Sequence, residues 1–177
     1  MAQHSRMSND DLCRVMQKYL GLICSSGSAF WGRRELEKPA RRFFRKIELS
    51  GLSEISEFNL WLDSQTCTLC KRFPKGCRDW GFARKILNIF LRHACYNVYL
   101  RNRYHLEMLE PFLEVPIDSI VADKLRRKRE SNLPRWRGYG AIDAELNRCY
   151  QQVAQSWANE KGFARVHLDA WIWGGRL

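Results

Sequence analysis

A chain of 177 residues, 45% of them hydrophobic, can bury one good core and a small appendage. Its 30 Lys and Arg against 19 Asp and Glu leave a formal net charge of +11, which draws phosphate-bearing partners to the surface and makes nucleic acid the expected partner. There is no run of about eighteen apolar residues and no Gly-rich phosphate loop, G-x-S-x-G elbow or H-E-x-x-H helix, which argues against a membrane span, nucleotide hydrolysis, esterase chemistry and metalloprotease chemistry. MAQHSRMSNDDLCRVM lacks the apolar centre of a signal peptide, and seven cysteines, an odd number, suit reduced thiols better than a disulfide framework. Both features lead us to expect a cytoplasmic protein with no membrane contact.

A first helix is expected from about Ser8, whose hydroxyl can cap free N–H groups while Asp10 and Asp11 suit the positive end of the dipole. Leu12, Val15, Met16, Tyr19 and Leu20 form its apolar stripe, and CSSGSAFWG is expected to break it near Gly27. Residues 33 to 46 are strongly basic: Arg33, Arg34, Lys38, Arg41, Arg42, Arg45 and Lys46 interleave with Phe43 and Phe44 just after Trp31. Cations for phosphates and flat rings for bases suit a nucleic-acid strand, although an amphipathic helix with a solvated charged face gives the same pattern.

A second helix is expected from about Ser53 to Leu62, followed by a Cys-containing loop over residues 63–79 in which Pro74 and Gly76 break regular structure. Cys67 and Cys70 have the C-x-x-C spacing by which a tight turn brings two sulfurs to one tetrahedral zinc, with Cys77 as a third ligand. Loop cysteines without metal carry the same spacing. Zinc is the one metal these residues suggest, and the chemistry below requires no nucleotide cofactor.

From Trp80 the pattern is stronger. Ala83, Ile86, Leu87, Phe90, Ala94 and Val98 recur at three and four residues, so this should be the core helix. At about 100° per residue, Lys85, Asn88 and Arg92 lie on the opposite side. That is a solvated position for a lysine unless Phe82 and Ile89, near the same side, make Lys85 line a cleft.

In VPIDSIVADKLRRKRE, Pro116 presets the approach to another helix and Asp118 falls at or just inside its N-terminus, where free N–H groups and the dipole favour the ionised carboxylate. Val115, Ile117, Ile120 and Val121 should bury the turn and hold Asp118 in a rigid frame, as chemistry requires; plain capping needs the same residues. A second basic face, residues 124 to 137, supplies Arg126, Arg127, Lys128, Arg129, Arg135 and Arg137 for phosphates. A last long helix is expected from about Asp143 to Glu160, with Leu146, Tyr150, Val153, Ala154 and Trp157 as its apolar side and Gly162 ending it. Residues 163–177 then form a segment docked on the core. In it Asp169 is flanked by His167, which it could hydrogen-bond, and by Trp171 and Trp173, which could hold an everted base or simply pack.

The turn PIDSIV, residues 116 to 121, resembles the P-[VI]-D-x-x-[VI] turn of the helix-hairpin-helix DNA glycosylases, and a lysine on an apolar helix well upstream of the aspartate is similar to the divergent archaeal 8-oxoguanine glycosylase branch. The resemblance implies that Asp118 steadies positive charge on the deoxyribose and that Lys85 attacks C1′ to give a Schiff base. The usual L-P-G-[VI]-G hairpin before the aspartate is absent, and the similar LPRWRGYGA, residues 133 to 141, follows it instead. The expected fold is an all-α, compact, glycosylase-like helical bundle without substantial sheet, one domain over residues 1–177. The expected function is DNA binding, DNA more than RNA, with excision of a flipped base, with or without strand nicking; a non-catalytic helical nucleic-acid-binding or protein-interaction module is the alternative.

Overall fold

The computed structural model describes residues 8–30, 33–52, 58–128 and 131–175; Trp31, Ser53 and Arg129, named above, lie outside them. The described residues form eight α-helices and no strand: α1 (Asn9–Phe30), α2 (Glu37–Phe44), α3 (Phe58–Arg72), α4 (Trp80–Tyr96), α5 (Val98–Tyr104), α6 (Ser119–Arg126), α7 (Ala144–Lys161) and α8 (Leu168–Gly174). The all-α expectation holds.

Helix α1 starts where Ser8 places it, with the Ser8 hydroxyl accepting from the Asp11 N–H at 3.1 Å. It does not break near Gly27 but continues to Phe30. Its buried face is also rotated from the expected stripe: Val15 and Tyr19 are exposed, while Cys13, Leu20 and Cys24 point inward. Small residues explain the rotation. Gly21 lets α2 come so close that a Cβ there would sit 2.9 Å from the Phe44 Cβ. Phe43 and Phe44 are therefore core residues, and Phe44 stacks on Phe90 with ring centroids 4.5 Å apart.

The Cys-containing loop is mostly helix, because α3 runs on through Cys67 and Cys70 to Arg72 before Pro74 ends the segment. Cys67 is exposed, Cys70 is half-buried, and all seven cysteines are free. A C-x-x-C pair on a continuing helix lacks the tight turn on which the zinc expectation depended. Among the described residues no group of three His, Cys, Asp or Glu side chains is arranged to hold a metal ion.

Helix α4 joins two apolar clusters. One, toward α1, α2 and α3, contains Leu20, Phe44, Leu62, Leu69, Phe82, Ile86 and Phe90. The other, among α6, α7 and α8, contains Val115, Ile117, Val121, Leu125, Tyr150, Leu168 and Ile172. Because α4 is covered on both sides, every residue from Gly81 to Asn88 is buried, and the far face that periodicity assigned to solvent is interior. Val98 is not part of the stripe: Asn97 ends α4, caps α5 through bonds from the Tyr99 and Leu100 N–H groups, and leaves Val98 exposed.

Helix α7 matches the sequence reading closely, with Asp143 accepting from the Leu146 N–H at 2.8 Å and Gly162, at φ +76°, closing the C-terminus in the left-handed conformation. The final segment docks through Val166, Leu168 and Ile172.

Candidate active site

The seam between the two clusters holds the residues that matter most. Asp118 is the N-cap of α6: its Oδ1 accepts from the Ile120 and Val121 N–H groups, both at 2.9 Å. Its Oδ2 lies 3.8 Å from the Lys85 Nζ, which reaches it from the middle of α4. Lys85 is 3% exposed, so its ammonium has lost nearly all its water. Burial pushes its pKa down from 10.5 to about 8, Asp118 opposing the shift and the Arg92 charge assisting it. A lysine in that range carries a useful fraction of neutral, nucleophilic amine near neutral pH.

A third group, unforeseen from sequence, completes the arrangement. The Lys85 Nζ donates to the Tyr139 hydroxyl at 2.8 Å and lies 5.2 Å from the centre of the Tyr139 ring. Tyr139 follows Gly138, whose φ of +93° turns the chain, and its ring is gripped edge-on by Phe82 and Trp136. Arg33 covers the same rings, with its guanidinium 4.9 Å from the Phe82 centroid and 5.7 Å from that of Tyr139, and pairs with Asp79 at 2.6 Å. Arg33 thus braces this wall. The clue in the sequence was LPRWRGYGA, a turn-rich stretch too far downstream to be linked to Lys85 without a fold.

The segment that delivers Asp118 is anchored by residues with no motif. Glu114, 5% exposed, receives a two-pronged contact from Arg84, Nε to Oε2 and Nη2 to Oε1, each at 2.8 Å, and further bonds from Asn88 and Asn147. Burial alone would raise its pKa, but these donors prevail and hold it below the ordinary 4.5. Next to it the Gln151 amide accepts from the Val115 N–H at 3.1 Å and donates to the Val115 carbonyl at 2.9 Å, like a neighbouring strand. Arg84 also binds Asp63 and Thr66 on α3, so α3, α4, α7 and the approach to α6 share one buried polar network.

Lys85 and Asp118 line a cavity of about 550 Å³ together with Ile23, Ile89, Arg92 and Trp173. Asp169 and Arg92 pair at its edge, so the carboxylate turns to Arg92 and not to His167. His167 instead joins Tyr96 and Glu110, with its Nδ1 2.6 Å from the Tyr96 hydroxyl and its Nε2 2.7 Å from Glu110. Cys24 also lines the cavity, but burial pushes its thiol up to about 12 and leaves it a poor nucleophile. Of the three residues expected to hold a base, Asp169 and Trp173 reach this cavity and Trp171 faces a neighbouring groove.

Of the basic residues, Arg34, Arg42, Arg45, Arg127, Arg135 and Arg137 are exposed. Arg41 pairs with Glu37, Arg126 and Arg127 with Asp123, and Lys128 with Glu160. Comparison with protein-family models, with curated proteins and with solved structures finds no match.

Proposed function

We propose that this protein binds DNA and cleaves the N-glycosidic bond of an everted nucleotide in the Lys85–Asp118 cavity. The single observation that carries the reading is a nearly dehydrated lysine amine 3.8 Å from a helix-capping carboxylate, both lining a space of about 550 Å³. That volume lies well inside the range of small-ligand sites and admits either a purine or a pyrimidine. The net charge of +11, the exposed arginines and the resemblance of the PIDSIV turn to the glycosylases support the same reading.

In this mechanism Asp118 keeps its orientation through the two N–H bonds, and its carboxylate stabilises the cationic sugar as the bond to the base lengthens. The neutral Lys85 amine forms a bond to C1′, and the electron pair of the old C1′–N bond leaves with the base. One amine proton passes to the departing base and the other to the ring oxygen as the C1′–O bond breaks, which opens the sugar and leaves a Schiff base between Lys85 and C1′. Tyr139 holds the amine on the Asp118 side of the cavity throughout. Trp173 offers a flat wall to the base, and the Arg92–Asp169 pair offers both donors and acceptors to its edge.

The test is incubation with oligonucleotides carrying uracil, 8-oxoguanine, an alkylated base or an abasic site, with borohydride present. A covalent adduct is expected with the wild type, lost in Lys85→Ala and strongly reduced in Asp118→Asn. DNA binding without any product that depends on these two residues would instead identify a non-catalytic nucleic-acid-binding module.

A further inference from the structure

We propose that the groove between α6 and α8, across α8 from the candidate active site, seats the base that adjoins the everted nucleotide on a DNA strand. This inference rests on the nucleotide reading of the Lys85–Asp118 cavity.

Helix α8 anchors itself with Leu168 and Ile172 and leaves two indoles half outside, Trp171 at 45% and Trp173 at 44% exposure. Docking alone does not account for that, since tryptophan that serves only the core is largely buried. The two rings serve different spaces. Trp173 lines the Lys85–Asp118 cavity, whereas Trp171 lines a separate groove of about 420 Å³ with Lys124, Trp157 and Ile172. Gly174 and Gly175 complete the groove without adding side chains to fill it.

The chemistry of this groove fits a base and its phosphate. Trp157 and Trp171 meet edge to face, with centroids 5.2 Å apart, giving an aromatic floor. Cations surround it: Lys161 Nζ lies 5.1 Å from the Trp171 centroid, Lys128 Nζ lies 4.9 Å from that of Trp157, and Lys124 is exposed at the rim. The carboxylates beside it, Asp123 and Glu160, are already engaged by Arg126, Arg127 and Lys128. Apolar flat surface inside a positive rim is the pattern that holds stacked bases on a polyanionic backbone.

The position of the groove relative to the cavity selects the occupant. Trp171 and Trp173 are two residues apart on α8, about 200° around the helix, so groove and cavity lie on either flank of one helix. Lys124 sits in the last turn of α6, the helix that Asp118 caps, roughly 9 Å away along an axis rising about 1.5 Å per residue. A strand that crosses α8 with one nucleotide turned toward Asp118 would meet Lys124 and Trp171 with its neighbour.

The experiment measures binding rather than cleavage. A single-stranded oligonucleotide carries a tetrahydrofuran abasic analogue at its centre, with either a normal base or a second tetrahydrofuran at each flanking position. Affinities are read by fluorescence anisotropy for wild type, Trp171→Ala and Trp171→Phe, with circular dichroism to verify folding. Removing the base on one flank should weaken wild-type binding about tenfold, the scale of one base–aromatic stack. Trp171→Ala should lose about the same factor on the fully based strand and become indifferent to that flank, while Trp171→Phe keeps most of the affinity. Lys161→Gln, an exposed change, should lower affinity and flatten the salt dependence by about one released counterion.

Equal flank sensitivity in wild type and Trp171→Ala, wild-type indifference to both flanks, or absence of DNA binding overturns the inference. Binding of an acidic peptide but not DNA, lost in Trp171→Ala, overturns it in favour of a peptide groove. An adduct trapped through Lys85 without flank coupling defeats this inference alone. Flank coupling without any adduct defeats the enzyme reading and leaves the neighbouring-base site standing.

Discussion

Asp118 divides its two oxygens between Lys85 and its own helix: Oδ1 caps α6 through the Ile120 and Val121 N–H groups, and Oδ2 faces the Lys85 Nζ at 3.8 Å. The two roles can be separated by substitution. Asparagine caps as well as aspartate, so Asp118→Asn should stay within about 1 kcal/mol of wild-type stability, whereas Asp118→Ala should lose about 1 kcal/mol through the missing cap. Because Asp118 raises the Lys85 pKa, either variant should move it further below 8, and Arg92→Gln should move it upward by removing a like charge. The pH dependence of Lys85 acylation, followed by mass spectrometry, checks all three. A Lys85 titration unmoved by Asp118→Asn would sink the coupling.

The depressed Lys85 pKa also makes stability depend on pH. In the folded protein the group releases its proton near 8, against 10.5 for an ordinary lysine. Below pH 8 both states carry the charge and the folded one bears its full desolvation cost; between 8 and 10.5 only the unfolded chain holds the proton, so stability gained from this group rises with pH. Over that window wild type should gain about 3 kcal/mol relative to Lys85→Met, the equivalent of the pKa difference. Urea unfolding of both proteins at pH 7 and above 10.5 measures it, and parallel pH profiles contradict the expectation.

Tyr139 should set where the amine points and how readily it deprotonates. Its hydroxyl accepts a bond from the ammonium, favouring the charged form, so Tyr139→Phe should lower the Lys85 pKa while the retained ring preserves the cation–π contact and the packing on Phe82. We expect stability within about 1 kcal/mol of wild type, as for loss of one hydrogen bond. Schiff-base trapping should fall, and its pH profile should move toward acid. A lower rate with an unchanged profile would mean that Tyr139 only packs.

How far sequence carried this site depends on the range of the interactions involved. The PIDSIV turn and its cap are local, and Pro116, Asp118 and the flanking Ile and Val residues announced them. That Lys85 faces inward was legible only through Phe82 and Ile89 near its side of α4, because the strong apolar stripe alone pointed it outward and the elements that cover its face come later in the chain. Glu114 and Gln151 gave no signal, and Tyr139 only the turn-rich stretch around it, since a lone polar residue becomes meaningful only when its distant partner is known. Small residues misled in α1, where Gly21 marks a close helix crossing and Gly27 does not stop the helix.

Glu114 should be among the most sensitive positions in the protein. Removing it leaves Arg84, 4% exposed, without its bidentate partner, so Glu114→Ala should cost about 3–5 kcal/mol and lower Tm by roughly 10 °C. Its depressed pKa fixes the sign with pH: the stabilisation is complete above the unfolded value of 4.5 and drains away as pH falls below it. Thermal melts of wild type and Glu114→Ala between pH 7 and pH 3 should therefore converge toward acid. A constant gap would mean that Glu114 acts through packing alone.

Gly81 controls whether Tyr139 reaches Lys85 at all. A Cβ at this position would lie 2.6 Å from the Tyr139 carbonyl oxygen and 2.6 Å from the Ile142 Cβ, both on the segment that packs across α4. Backbone cannot yield as a flexible side chain does, so Gly81→Ala should push residues 139–142 outward and destabilise the fold by about 1–3 kcal/mol. Gly76→Ala, where a Cβ meets nothing within 4 Å, is the matched control and should leave stability and Lys85 unchanged. Because the displaced segment carries the Tyr139 hydroxyl, Gly81→Ala should also reproduce the acid shift of Tyr139→Phe, and adding Tyr139→Phe should shift it no further. Additive shifts in the double variant would show that Gly81 acts on Lys85 by another route.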